Sequence, residues 1–204
     1  METQSSRKHR AMLDAAEQLF LRDGYLATNM DELAALSRVS KQTIYTHFGS
    51  KEALFVELVS SMTTVAGDAV HWEAMEPTRA DELAPFLEEY AERQLATVLA
   101  PRLLSLRRLV IGEVGRFPDL AQALFDNGPR RAMGNFADLF GRLAARGLLT
   151  ITNAETAASS FNWLVMGAPL NEAMLLGDTA APSPDEQRAH VAEAVRIFLA
   201  SHRS

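Results

Sequence analysis

Residues 37–51 read SRVSKQTIYTHFGSK, and this stretch decides the fold. It holds Arg38, Lys41 and Lys51 without one acid, and His47 can add a partial charge. Ser40 is a helix N-cap, Gly49 a C-terminal stop, and Lys41–Phe48 the helix between them. At about 100° per residue, Ile44 and Phe48 share one face, to be buried. Gln42, Thr43 and Thr46 cover the opposite side, flanked by Tyr45 and His47. Upstream, Met12, Leu13, Ala16, Leu19 and Phe20 give a helical stripe over Arg7–Asp23, with Gly24 as its stop. Thr28 with Asp31 reads as the capping-box-like start of a helix that ends near Ser37. Downstream, Ser50 starts a helix whose apolar face is Leu54, Phe55, Leu58 and Val59. Three short helices with a tight turn between the second and third form a helix-turn-helix module.

The Lys41–Phe48 helix suits a DNA major groove. Gln can pair with adenine N6/N7, and a Thr methyl can meet the thymine methyl. Tyr45 and His47 point polar tips at the two phosphate walls. Lys41 and Lys51 stand in first turns, where helix N-termini also favour phosphate. Thr28 offers a hydroxyl on the other side of the groove, and Arg7, Lys8 and Arg10 can follow the backbone or enter a minor groove. The plainer reading is the polar outer face of any soluble helix. The acid-free window weighs against it, because acids outnumber bases in the whole chain.

The 204 residues carry 20 Lys+Arg against 26 Asp+Glu, a net charge of −6. All three lysines (Lys8, Lys41, Lys51) lie in the first quarter, so a locally basic head sits on an acidic body. Absence of cysteine excludes disulfides, thiolate metal sites and cysteine nucleophiles. His190 and Glu193 are i, i+3 partners but lack a second ligand set, and there is no phosphate-binding Gly loop or Gly-x-Ser-x-Gly elbow. An enzyme, a cofactor and a metal are therefore not expected. The polar first ten residues lack the apolar core of a signal peptide, and the uncharged run 156–171 is too short to span a bilayer. The expected location is the cytoplasm, with no membrane partner.

Thr28, Leu33-Ala34, Val39-Ser40-Lys41, Thr43-Ile44-Tyr45, His47-Phe48, Ser50-Lys51-Glu52 and Leu54, preceded by Ala15-Ala16, Leu19-Phe20 and Gly24-Tyr25, resemble the DNA-binding domain of the tetracycline-repressor (TetR) family. The resemblance covers roughly residues 8–58. It implies an all-α protein, with a helix-turn-helix domain (1–52) joined to a helical ligand-binding and dimerisation domain (53–204). It also implies a sequence-specific transcriptional regulator: a homodimeric repressor, released from a palindromic double-stranded operator by a small, largely apolar effector. An activator shares this layout. Family roles fall on Thr28, Lys41, Gln42, Thr43, Tyr45, Thr46, His47 and Lys51 as DNA contacts. The family usually has Ala-Gly where Ser37-Arg38 stands here. A left-handed Arg38 carries strain of roughly 1 kcal/mol and can add a phosphate contact. The body resembles one branch of the family through Arg108-Leu109-Val110-Ile111, Glu113, Arg116-Phe117-Pro118 and Gly128-Pro129, a branch that names no ligand.

Candidate helices in the body are 80–99, 102–115, 118–127, 129–146, 154–176 and 184–202. Leu103–Phe117 is apolar nearly all round, as in a central helix. Glu113 on its stripe is either an edge or paired acid, or a polar anchor in an effector pocket. Arg107 is similar, with a surface ion pair as the plainer reading. Trp72, Phe86, Tyr90, Phe136, Phe140, Trp163 and Met166 either line an effector cavity or are plain core. Segment 154–176 has two apolar sides, one of which includes Trp163, Met166 and Leu170. With 184–202 it is expected to form a four-helix dimer interface, unless both helices only complete the monomer core.

Overall fold

The computed structural model describes residues 4–70 and 75–202. Ten α-helices make up most of them: α1 (Gln4–Ala27), α2 (Met30–Ser37), α3 (Lys41–Phe48), α4 (Lys51–Val70), α5 (Leu83–Val98), α6 (Pro101–Glu113), α7 (Pro118–Phe125), α8 (Arg131–Ala145), α9 (Ala154–Leu176) and α10 (Pro184–His202). The all-α expectation holds among the described residues. They form two compact units, residues 1–63 with 105–125 and residues 64–104 with 126–204.

In the first unit the apolar stripes converge as their spacing dictates. Met12, Leu19 and Phe20 of α1 are buried with Leu33 of α2, Ile44 of α3 and Phe55 and Leu58 of α4. The Phe20 and Phe55 rings lie 4.7 Å apart, and Tyr25 meets Phe117 edge-on at 4.5 Å. Gly24, expected to end α1, bends it instead: φ is +79°, and helix resumes to Ala27. Only glycine takes that φ without strain.

The second unit is built on α5, α8, α9 and α10. Phe136 and Phe140 of α8, Phe161 of α9 and Phe198 of α10 are fully buried and form a continuous ring cluster. The break expected at Gly128–Pro129 is a wide helical turn over Asp126–Arg130 that absorbs Pro129 and leads straight into α8. Pro169 inside α9 has no N–H for the Val165 carbonyl one turn back. His190 Nε2 of α10 reaches that carbonyl at 2.9 Å and supplies the missing donor. Glu193 pairs instead with Arg196, so these two residues do not converge, and no group of three His, Asp or Glu able to hold a metal occurs among the described residues.

The uniformly buried helix expected over 103–117 is not found. Leu104, Leu106 and Val110 are buried, but Ile111 and Val114 are exposed. The stripe is helical in period, yet its far side meets water.

Candidate functional site

Helix α3 is fixed at both ends. Ser40 accepts a hydrogen bond from the Thr43 amide at 3.1 Å, and the Gly49 amide donates to Tyr45 O at 2.8 Å. Ile44 and Phe48 are buried behind it, while Lys41, Gln42, Thr46 and His47 are exposed and Thr43 and Tyr45 half-buried. The Thr46 hydroxyl donates to Gln42 O at 2.8 Å, so the methyl group is what Thr46 turns outward. The Thr43 hydroxyl is shared with Ser40 at 2.8 Å. The ridge therefore offers one free amide, Gln42, beside apolar methyls. Lys41 Nζ is 3.0 Å from Asp31 in an exposed ion pair, worth little in water and open to exchange for phosphate.

Arg38 adopts the left-handed conformation, φ 56° and ψ 38°, as the caps of α2 and α3 require. Among the described residues it alone has positive φ without being glycine.

Two of the residues expected at DNA make bonds within the protein, and the cap expected at Thr28 is corrected. Thr28 is 4% exposed and its hydroxyl donates to Gly24 O at 2.7 Å, closing the bend in α1. Asn29, not Thr28, caps α2, accepting from the Asp31 amide at 2.7 Å. Lys51 turns inward. Its ammonium donates to Thr28 O at 2.7 Å and Leu26 O at 3.2 Å, and lies 5.0 Å from the Tyr25 ring centroid. Burial lowers its pKa below the usual lysine value. Each residue serves the junction between α1 and α2, where two carbonyls need donors.

The expected effector residues divide between the units. Arg107 and Glu113 belong to the first, where Glu113 helps raise the pKa of Tyr25 after burial and Glu52. Arg107 is half-buried and has no hydrogen-bond or ion-pair partner among the described residues; burial lowers its pKa. Tyr90, Phe136, Phe140 and Met166 sit together in the core of the second unit, with Phe86 packed at its edge. Burial raises the Tyr90 pKa. Trp163 is 54% exposed and does not join that core. Trp72 lies outside the described residues.

The sequence reading missed Gln94 of α5 and Asn162 of α9. Both are buried in the second unit, and Gln94 Nε2 donates to Asn162 Oδ1 at 3.2 Å. Gln94 Oε1 has no partner, a desolvation cost of about 1–3 kcal/mol. The signal was present: an amide one turn after Tyr90 on an apolar stripe, and another between Ala158 and Met166. Glu76 Oε2, by contrast, is answered by Arg146 at 2.8 Å.

Comparison with known proteins gives one family match in each half of the chain. Residues 12–58 match the family of bacterial regulatory proteins named for TetR, and residues 85–203 match the C-terminal domain of AefR-like transcriptional repressors. The chain is 30% identical over 193 residues to the HTH-type transcriptional repressor Rv3405c of Mycobacterium tuberculosis, covering 94% of this chain and 89% of that one. A crystallised Mesorhizobium loti protein assigned to the TetR-family regulators superimposes with TM-score 0.88 at 34% identity, covering all of both chains. The flavonoid-responsive regulator FrrA gives TM-score 0.80 at 29% identity over 97% of each chain. With its all-helical fold, its capped α3 and matches spanning both parts, the chain belongs to the TetR family of DNA-binding transcriptional repressors.

Proposed function

We propose that the chain acts in the cytoplasm as a homodimeric repressor that reads a palindromic operator and releases it when a small, largely apolar effector binds. Residues 1–52 are the reading head and 53–204 the effector and dimerisation body. The carrying observation is the ridge of α3 formed by exposed Gln42 and Thr46 with half-buried Thr43, anchored from behind by buried Ile44 and Phe48. In this reading Gln42 and the Thr46 methyl meet base edges, while Arg38, Lys41, Tyr45 and His47 meet phosphates. Thr28 and Lys51 act indirectly, by holding the α1–α2 junction.

One α3 reads only a few base pairs. A two-fold dimer sets two copies about 34 Å apart, one duplex turn. Exposed Trp163 and Leu175 on α9 and Ile197 on α10 support a second copy at those helices. An effector shifts such a dimer from 1:99 to 99:1 with about 5.5 kcal/mol of preference for one state, which burial of roughly 200 Å² more apolar surface supplies. FrrA is named as responsive to flavonoids, and the ring-rich core of the second unit supports a planar aromatic effector here too.

Selection of bound DNA from a random pool tests this reading. A palindrome is expected for the native chain. Gln42→Ala should relax preference at one base pair per half-site, by about 1–3 kcal/mol, while Tyr45→Phe weakens all sequences alike. Unchanged base preferences in Gln42→Ala would refute the groove-facing assignment.

A further inference from the structure

Five polar side chains are buried among the described residues: Thr28, Ser37, Thr63, Gln94 and Asn162. The three hydroxyls each donate to a carbonyl one turn back, at 2.7 Å. The two amides, which are those of the second unit, have no such recourse. One bond joins them, and Gln94 Oε1 is left open although Gln94 is only 5% and Asn162 only 4% exposed. Buried acceptors persist where something donates to them.

The surroundings narrow what that donor is. Tyr90 stands one turn before Gln94 on α5, and Met166 one turn after Asn162 on α9; both are buried. The Phe136 ring lies 4.8 Å from Tyr90 and 4.9 Å from Phe161. These neighbours are flat rings and a thioether, which suit an aromatic guest. The fully buried open atom of the pair is an acceptor, so what answers it must donate. An ionised guest needs a buried counter-charge, and the buried polar pair is neutral.

We propose that Gln94, oriented by Asn162, is the polar anchor of the effector site, and that the effector is a neutral aromatic molecule donating a hydroxyl hydrogen to Gln94 Oε1. The assignment rests on the reading of the chain as an effector-released repressor. It goes further by naming the ligand chemistry and the atom that selects it.

Titration calorimetry on the full-length protein tests it with 2-naphthol and 2-methoxynaphthalene, which share a ring system but differ in the donor. The native chain should bind 2-naphthol about tenfold more tightly, a difference of about 1.4 kcal/mol. In Gln94→Leu the two probes should bind alike. Equal binding to the native chain overturns the proposal without needing a variant that folds. A preference for 2-naphthol that survives Gln94→Leu also overturns it. So does binding of neither probe, which leaves a water at the open acceptor. Operator binding by the same ligand-free preparations is scored separately: its absence in the native chain counts against the repressor reading and leaves the ligand result standing on its own.

Discussion

The two units handle buried polarity in opposite ways. In the first, Thr28, Ser37 and Thr63 each turn their hydroxyl back onto their own helix, and Lys51 fills the carbonyls at the α1–α2 junction. Those three hydroxyls, the fully buried polar groups of that unit, are all answered. In the second, two amides meet across α5 and α9 and leave one oxygen open. A reading head must present the same ridge at every encounter, so a self-satisfied core suits it. In the proposed reading, a receiving body gains something when its guest arrives, and an unanswered acceptor would supply that gain.

The contrast is open to attack at several scales. The largest expected effect is on packing. Phe161→Ala in the body should cost about 3–5 kcal/mol, since its ring is fully buried among three others; denaturant melts read the loss. Phe55→Ala should cost as much in the first unit, and its loss should also weaken operator binding. If Phe161→Ala abolished operator binding in protein that remains folded, the division of labour would be wrong.

Next is Arg38. Relief of its left-handed backbone in Arg38→Gly should raise stability by about 1 kcal/mol. The same variant should lower the salt dependence of operator binding by about one phosphate contact. A stable variant with an unchanged salt slope would leave Arg38 a turn residue and nothing more.

The smallest effect concerns acid. Glu76 bonds Arg142 and also faces Arg146, which holds its carboxyl below the usual 4.5. A carboxyl depressed in the folded state contributes stability above its unfolded pKa and loses it as pH falls through the folded one. Stability should therefore drop below about pH 4.5, and Glu76→Gln should flatten that part of the curve. Because the pair is partly exposed, the difference should stay under about 1 kcal/mol.

Much of the head was legible in sequence because its signals are local. Ser40, Gly49 and the Ile44–Phe48 spacing are decided within a few residues, and the structure keeps them. Failures came where a side chain answers something distant along the chain. Lys51 stands in a first turn, the place for a phosphate contact, but the carbonyls it bonds, those of Leu26 and Thr28, lie 25 and 23 positions away and no local pattern shows them. Thr28 was read as a cap, but the bend at Gly24 draws its hydroxyl backward and leaves the cap to Asn29. In the body, period alone cannot say which apolar side of α9 is covered, so Trp163 was grouped with Met166 although only the latter is buried. Gln94 and Asn162 lie 68 positions apart, and no local pattern pairs two amides over that span.

The bond between His190 and the Val165 carbonyl has one more consequence. A proline in mid-helix removes a link that every other turn makes for itself, and a ring from the next helix restores it. That ring reaches one carbonyl and no other, so α9 and α10 are keyed to a single register. Lengthening the chain between Leu176 and Pro184 should leave both helices intact, but a slide by one turn would leave the key outside its lock.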